Sequence, residues 1–173
     1  MKVIVTASYD ETCRVIAEMI AGLVNEKPDC KLGLATGGTP VPIYKKLIEM
    51  NKAGKVDFSK VRTVNLDEYC GIPGTHDQSY RYFMNTNLFD HINIDKANTF
   101  VANGMGDFEA NARELEEKVR EGGVADLQLL GIGNNGHIAF NEASDHLISV
   151  AHIEHLTEST IDANARFFEK RED

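Results

Sequence analysis

Between Gly131 and Glu142 the chain reads GIGNNGHIAFNE, and three kinds of chemistry meet in that stretch. Its first six letters satisfy the G-x-G-x-x-G pattern of a dinucleotide-binding turn. His137 follows at once, with Asn135 two residues before it and Glu142 five after it. A histidine moves protons near neutral pH, and an amide and a carboxylate facing its ring would fix its tautomer and raise its basicity. The plainer reading is a loop histidine hydrogen-bonded for structure, and the spacing leaves both open. The dinucleotide reading is weaker, because that fingerprint needs a helix starting inside it, usually in the first strand–helix unit. Here HIAFNEASD follows, with no helical apolar spacing.

Two further groups could join the histidine. Asp67 and Glu68 come directly after the apolar run VRTVNL. Either could project over a sheet edge as a carboxylate base, or cap the next turn, a common task for Asp. Gly37, Gly38 and Thr39 precede a helical pattern. Their amides and hydroxyl suit an anion at the positive end of a helix, and a tight turn needing positive φ would use the same glycines. The turn is too short for a P-loop and no G-K-[ST] occurs, so triphosphate hydrolysis is disfavoured.

These groups need elements to position them. Val3-Ile4-Val5 reads as a short buried strand, followed by an S-x-x-E capping box at Ser8 and Glu11. Val15, Ile16, Met19, Ile20, Leu23 and Val24 then mark one face of a helix that Pro28 closes. Strands are expected at 31–36, 61–66, 99–102 and 126–132, and helices across Ile43–Met50, Ser79–His91 and Asp107–Glu121. Beyond Glu142 a strand at 149–156 and a helix at 159–170, capped by Thr157 or Ser159, are expected. Such alternation implies an α/β fold, an open, mostly parallel, doubly wound (Rossmann-like) sheet with helices on both faces. Ligands bind such sheets at the carboxyl ends of their strands. The Gly37, Asp67 and His137 loops all leave strands at that edge.

The 173 residues suit one domain, 1–173, that buries about 70% of its unfolded surface. A formal charge of −9 with no Lys/Arg cluster argues against nucleic-acid partners and anionic membranes. Three scattered cysteines, without metal-ligand spacing, fit a reduced cytoplasmic setting. No signal-peptide pattern or run of transmembrane length is expected.

LATGGTP (34–40), NLDEYCG (65–71), SYRYFM (79–84), GIGNNGHIAFNE and ANARFFEK (163–170), in this order and spacing, resemble the glucosamine-6-phosphate deaminase family. The resemblance covers roughly the N-terminal two-thirds of the family's length, so C-terminal strands and helices are expected to be missing. It implies conversion of glucosamine 6-phosphate to fructose 6-phosphate and ammonia, a C–N hydrolysis with aldose–ketose isomerisation in amino sugar catabolism. It also implies no metal or organic cofactor, a small sugar phosphate as the ligand, and a possible homo-oligomer.

By motif position, Asp67 would shuttle a proton between C2 and C1. His137 would assist ring opening, oriented by Glu142 and Asn135. Gly37, Gly38 and Thr39 would hold the phosphate, with Arg166 adding positive charge. Where the family usually has Pro-Gly after the Asn-Glu pair, this chain has Ala143-Ser144. The alternatives are a sugar-phosphate-binding module without turnover and a hydrolase like 6-phosphogluconolactonase.

Overall fold

In the computed structural model, residues 1–133, 136–142, 144, 145 and 148–164 are described. Helix α1 (Tyr9–Glu26) starts where the side chain of Ser8 accepts the Glu11 N–H. The Glu11 carboxylate returns to the Ala7 N–H at 2.9 Å, one residue earlier than a reciprocal capping box would place it. Its buried face is Cys13, Ala17, Ile20, Ala21 and Val24, while Met19 is exposed. The small side chains at 13, 17 and 21 let α1 lie close against α2 (Val41–Lys52), which buries Ile43, Tyr44 and Leu47.

Four parallel strands form the sheet: β1 (Lys31–Leu34), β2 (Arg62–Asn65), β3 (Thr99–Phe100) and β4 (Leu127–Gln128), in the order β3-β2-β1-β4. β1 is buried along its whole length, as a central parallel strand must be. Leu32 and Leu34 join the core formed with α1 and α2. Helix α3 (Tyr80–Asn87) packs beside α2 and ends before a short 3-10 turn at Phe89–His91, so the expected single helix is broken at Leu88. Helix α4 (Phe108–Arg120) is capped by Asp107, whose carboxylate accepts the Ala110 N–H. It carries the chain back from β3 past β1 to β4. A right-handed connection in that reversed direction lies on the opposite face from α2 and α3. The sheet is therefore doubly wound.

Lys31 fastens α4 to the sheet. Its side chain is buried, and its ammonium donates to the carbonyls of Lys118 and Val119 at 2.7 Å and of Glu121 and Gly123 at 3.1 Å. The first two are carbonyls that the end of α4 leaves without helical partners, and the others lie in the turn that follows. Asp126 secures the same corner, accepting the Lys31 N–H and an ion pair from Lys27, each at 2.8 Å.

Two expected strands are absent among the described residues. Val3, Ile4 and Val5 are 71%, 49% and 90% exposed, and no ladder forms there. An apolar run becomes a strand only by pairing, and the described residues offer it no neighbour. Residues 149–156 are likewise outside any strand and are tied by side chains, with Ala151 N–H donating to Glu116 at 2.9 Å. Helix α5 (Glu158–Asn164) follows, with the Thr157 hydroxyl facing the Thr160 N–H as its cap.

Candidate active site

The strand order reverses between β1 and β4, and a cavity of about 570 Å³ opens at their carboxyl ends. Thr36, Gly37 and Thr39 line it from the loop after β1, Asp67 from the loop after β2, and Gly133 and His137 from the loop after β4. Tyr80 of α3 and Phe140 complete its wall. A space of this size suits a small metabolite.

The carboxylates that the sequence leaves undivided have separate tasks. Glu68 turns back onto α3: one oxygen accepts the N–H of Tyr69 and of Tyr80 at 2.9 Å each. The other accepts the Ser79 hydroxyl at 2.7 Å and the Arg81 N–H at 3.1 Å. With Ser79 as the formal N-cap, Glu68 satisfies the amides at the start of α3, where negative charge is also favoured by the helix dipole. Asp67 is left to the cavity. Burial first, and then the neighbouring Glu68 charge, push its carboxyl up to about 7. A carboxylate so tuned holds and releases a proton at neutral pH.

The glycine turn after β1 has a conformation that both an anion site and a tight turn would use. Gly37 has φ of 89°, a conformation that L side chains rarely adopt, and the turn leads directly into the 12-residue helix α2. No side chain caps that helix at Pro40, and Thr39, Pro40 and Ile43 at its start line the cavity. The Tyr9 hydroxyl donates to the Thr39 carbonyl and ties the turn to α1.

After Gly136 no helix starts, which removes the dinucleotide reading. Instead the chain folds back on itself. Gly133 N–H donates to the His137 carbonyl and Gly136 N–H to the Gly133 carbonyl, each at 2.9 Å. Ile138 and Asn141 then bridge across a tight turn in which Ala139 takes the left-handed conformation, φ 51°. The imidazole of His137 rests against Gly133. A Cβ added there would lie 2.3–2.6 Å from three of its ring atoms. Gly133→Ala is therefore expected to displace the imidazole and lower kcat by about 10–100-fold, since an error of about 1 Å costs that much. Urea midpoints should show a stability change under about 1 kcal/mol, because the loop is only half-buried.

Of the expected site residues, the cavity brings together Gly37, Thr39, Asp67 and His137. Gly38 belongs to the turn without lining the cavity. Glu142 also lies outside the lining, and its carboxylate accepts the N–H and hydroxyl of Thr157 at 3.1 and 3.2 Å. It thus links the histidine loop to the start of α5. Asn135 and Arg166 lie outside the described residues. Tyr80 and Phe140 carry no catalytic letter pattern and were not anticipated. Only the SYRYFM motif, with Ser79 as a helix cap, places Tyr80 in a first turn near the site.

A doubly wound parallel sheet with a carboxyl, an imidazole and a helix-start glycine turn at its switch point defines an α/β protein that works on a small anionic ligand. Residues 5–147 match the family model of glucosamine-6-phosphate isomerases/6-phosphogluconolactonase, and the chain belongs to that family. It is 54% identical to glucosamine-6-phosphate deaminase from Clostridium perfringens (strain 13 / Type A), over all of this chain and 72% of the relative. The corresponding enzyme of Thermoanaerobacter sp. (strain X514) is 51% identical, with all of this chain and 69% of the relative covered. Among solved structures, a monomeric glucosamine-6-phosphate deaminase superposes with a TM-score of 0.95 at 42% identity, covering all of this chain and 72% of its own. The 6-phosphogluconolactonase of Thermotoga maritima superposes less fully, with a TM-score of 0.68 at 27% identity, covering 81% of this chain and 62% of its own.

Proposed function

We propose that this chain, as one domain over 1–173, is a glucosamine-6-phosphate deaminase that forms fructose 6-phosphate and ammonia. The observation that carries the reading is Asp67, a carboxyl poised near 7 in the same cavity as His137 and the Gly37–Thr39 turn. His137 moves the proton between ring oxygen and C1 hydroxyl as the sugar opens. Asp67 removes the C2 proton of the open aldose and returns it to C1, while O1 gains the proton that the amine gives up. That leaves an imine at C2, which water converts to the ketone with release of ammonia. The amides of Gly37 and Gly38, with Thr39, hold the phosphate at the start of α2, and Arg166 adds positive charge. Asn135 and Glu142 orient the imidazole, Glu142 from its anchorage at Thr157. A phosphate bound away from the reacting carbons supplies binding energy that orients them.

The test is turnover of glucosamine 6-phosphate by the purified chain, with ammonia and fructose 6-phosphate measured together. Equal release of both products is expected. Hydrolysis of 6-phosphogluconolactone in their place would move the chain to the other branch of its family, and binding of the sugar phosphate without turnover would make it a sensing module.

No helix among the described residues is long and apolar enough to cross a membrane. A cytoplasmic location fits a sugar-phosphate substrate, and fractionation tests it. The solved deaminase relative is a monomer, so a homo-oligomer gains no support from it, and sedimentation decides the state of this chain.

A further inference from the structure

Tyr80 touches two loops of the site and shares the cavity wall with the third. Its main-chain N–H is held by Glu68, next to Asp67. Its ring stacks on Phe140, centroids 5.8 Å apart and planes 16° from parallel, and tilts against Tyr69 at 4.9 Å. Tyr80 lines the cavity together with Thr36, which stands just before the glycine turn. Phe140 lies three residues beyond His137 on the turn closed by Ile138 and Asn141, and its ring also faces the imidazole at 6.3 Å. That turn contains Ala139 in a left-handed conformation. Such a conformation persists only where the surroundings over-determine it. The clamp of Phe140 between Tyr69 and Tyr80 supplies that constraint.

We propose that Tyr80 is the positioning residue of this site: its ring sets His137 relative to Asp67 through Phe140. The inference rests on the deaminase reading of the same cavity. The ring, with Phe140, keeps water from Asp67.

The experiment follows the Asp67 carboxyl carbon by NMR through a pH titration of the full chain, beside kcat and KM. The unsubstituted chain is expected to titrate near 7. Tyr80→Leu and Phe140→Leu should each lower that midpoint by about one unit or more, because water reaches the carboxyl. The double variant should go no further than either single one, since both break one contact. Tyr80→Leu should lower kcat about 100-fold, whereas Tyr80→Phe, which keeps the ring, should keep the midpoint. A Tyr80→Leu chain that keeps midpoint and kcat overturns the proposal, as do additive effects of the two Leu substitutions. If Tyr80→Leu does not fold, Phe140→Leu and Tyr80→Phe decide alone: an unmoved midpoint in the first, or a lowered midpoint in the second, overturns it. A parent chain titrating near 4 would instead sink the reading of Asp67 itself. Absence of deamination with the midpoint shifts intact would leave positioning standing and the reaction misassigned.

Discussion

Asp67→Asn is expected to lower kcat/KM for glucosamine 6-phosphate by about a thousandfold, within the usual range for loss of a positioned base. The same substitution should make the chain more stable at neutral and alkaline pH. In the folded chain the Asp67 carboxyl titrates near 7, well above the ordinary aspartate value of about 3.9 in an unfolded chain. The folded state therefore holds this proton more tightly than the unfolded state. Below about 4 both states are protonated and Asp67 costs nothing. As pH rises from 4 to 7 the unfolded state gains by ionising first, so stability falls, and above 7 the penalty is level. Three units correspond to about 4 kcal/mol as an upper bound, and the partial access of water to a half-buried side chain brings the expected value nearer 2 kcal/mol. Asn carries no such penalty. Urea midpoints of parent and variant at pH 5 and pH 8 measure it: the variant's advantage should be larger at pH 8. Equal advantages at the two pH values would show that burial does not tune Asp67. On the activity side, kcat/KM of the parent should rise with pH through about 7.

Lys31→Met should cost about 2–4 kcal/mol of stability with modest effect on KM. The ammonium has three protons and faces four carbonyl oxygens, so at least one bond is shared. Burial, followed by the nearby Arg62 charge, holds its pKa below the usual lysine value, yet the carbonyls at the end of α4 keep it useful as a cation. A thioether of similar length fills the space and leaves those carbonyls without their donor. Each unpaired buried group then costs about 1–3 kcal/mol, less wherever water enters. For a chain of this length the loss corresponds to a melting temperature lower by about 5–15 °C. A change under about 1 kcal/mol would mean that the carbonyls are hydrated and Lys31 is dispensable. Hydrogen exchange should speed up at Lys118–Gly123 before it does in β1.

Much of this architecture is legible from patterns of apolar residues. The runs around 31–36, 61–66 and 99–102 become β1, β2 and β3 because each has neighbours to pair with. Val3-Ile4-Val5 is as apolar as any of them and is not a strand, since pairing is a property of the sheet and not of three letters. A buried lysine at the head of β1 is invisible to pattern reasoning, because its partners lie 87 to 92 positions away. At the site, sequence alone sees a carboxylate pair and leaves their tasks open. Geometry separates them, giving Glu68 to the start of α3 and Asp67 to the cavity. For Glu142, geometry adds a bond that its spacing to His137 does not show, to Thr157 15 positions on. Tyr80 and Phe140 carry no sequence signal of a role at the site, because aromatic residues read as core material wherever they occur.

The order β3-β2-β1-β4 also carries a consequence in time. Lys31 pairs with Arg62, but the other side of β1 waits for Leu127, 95 positions beyond its partner Leu32. Contacts of long sequence separation form late. During synthesis the first three strands and their helices can close around Asp67 and the glycine turn before residues 131–142 have left the ribosome. His137 is then delivered to a half-built site by the docking of β4. Pulse-labelled hydrogen exchange should find the amides of β1 and β2 protected first and those around Leu127–Leu129 afterwards, so that the chain acquires its binding face before it acquires its chemistry.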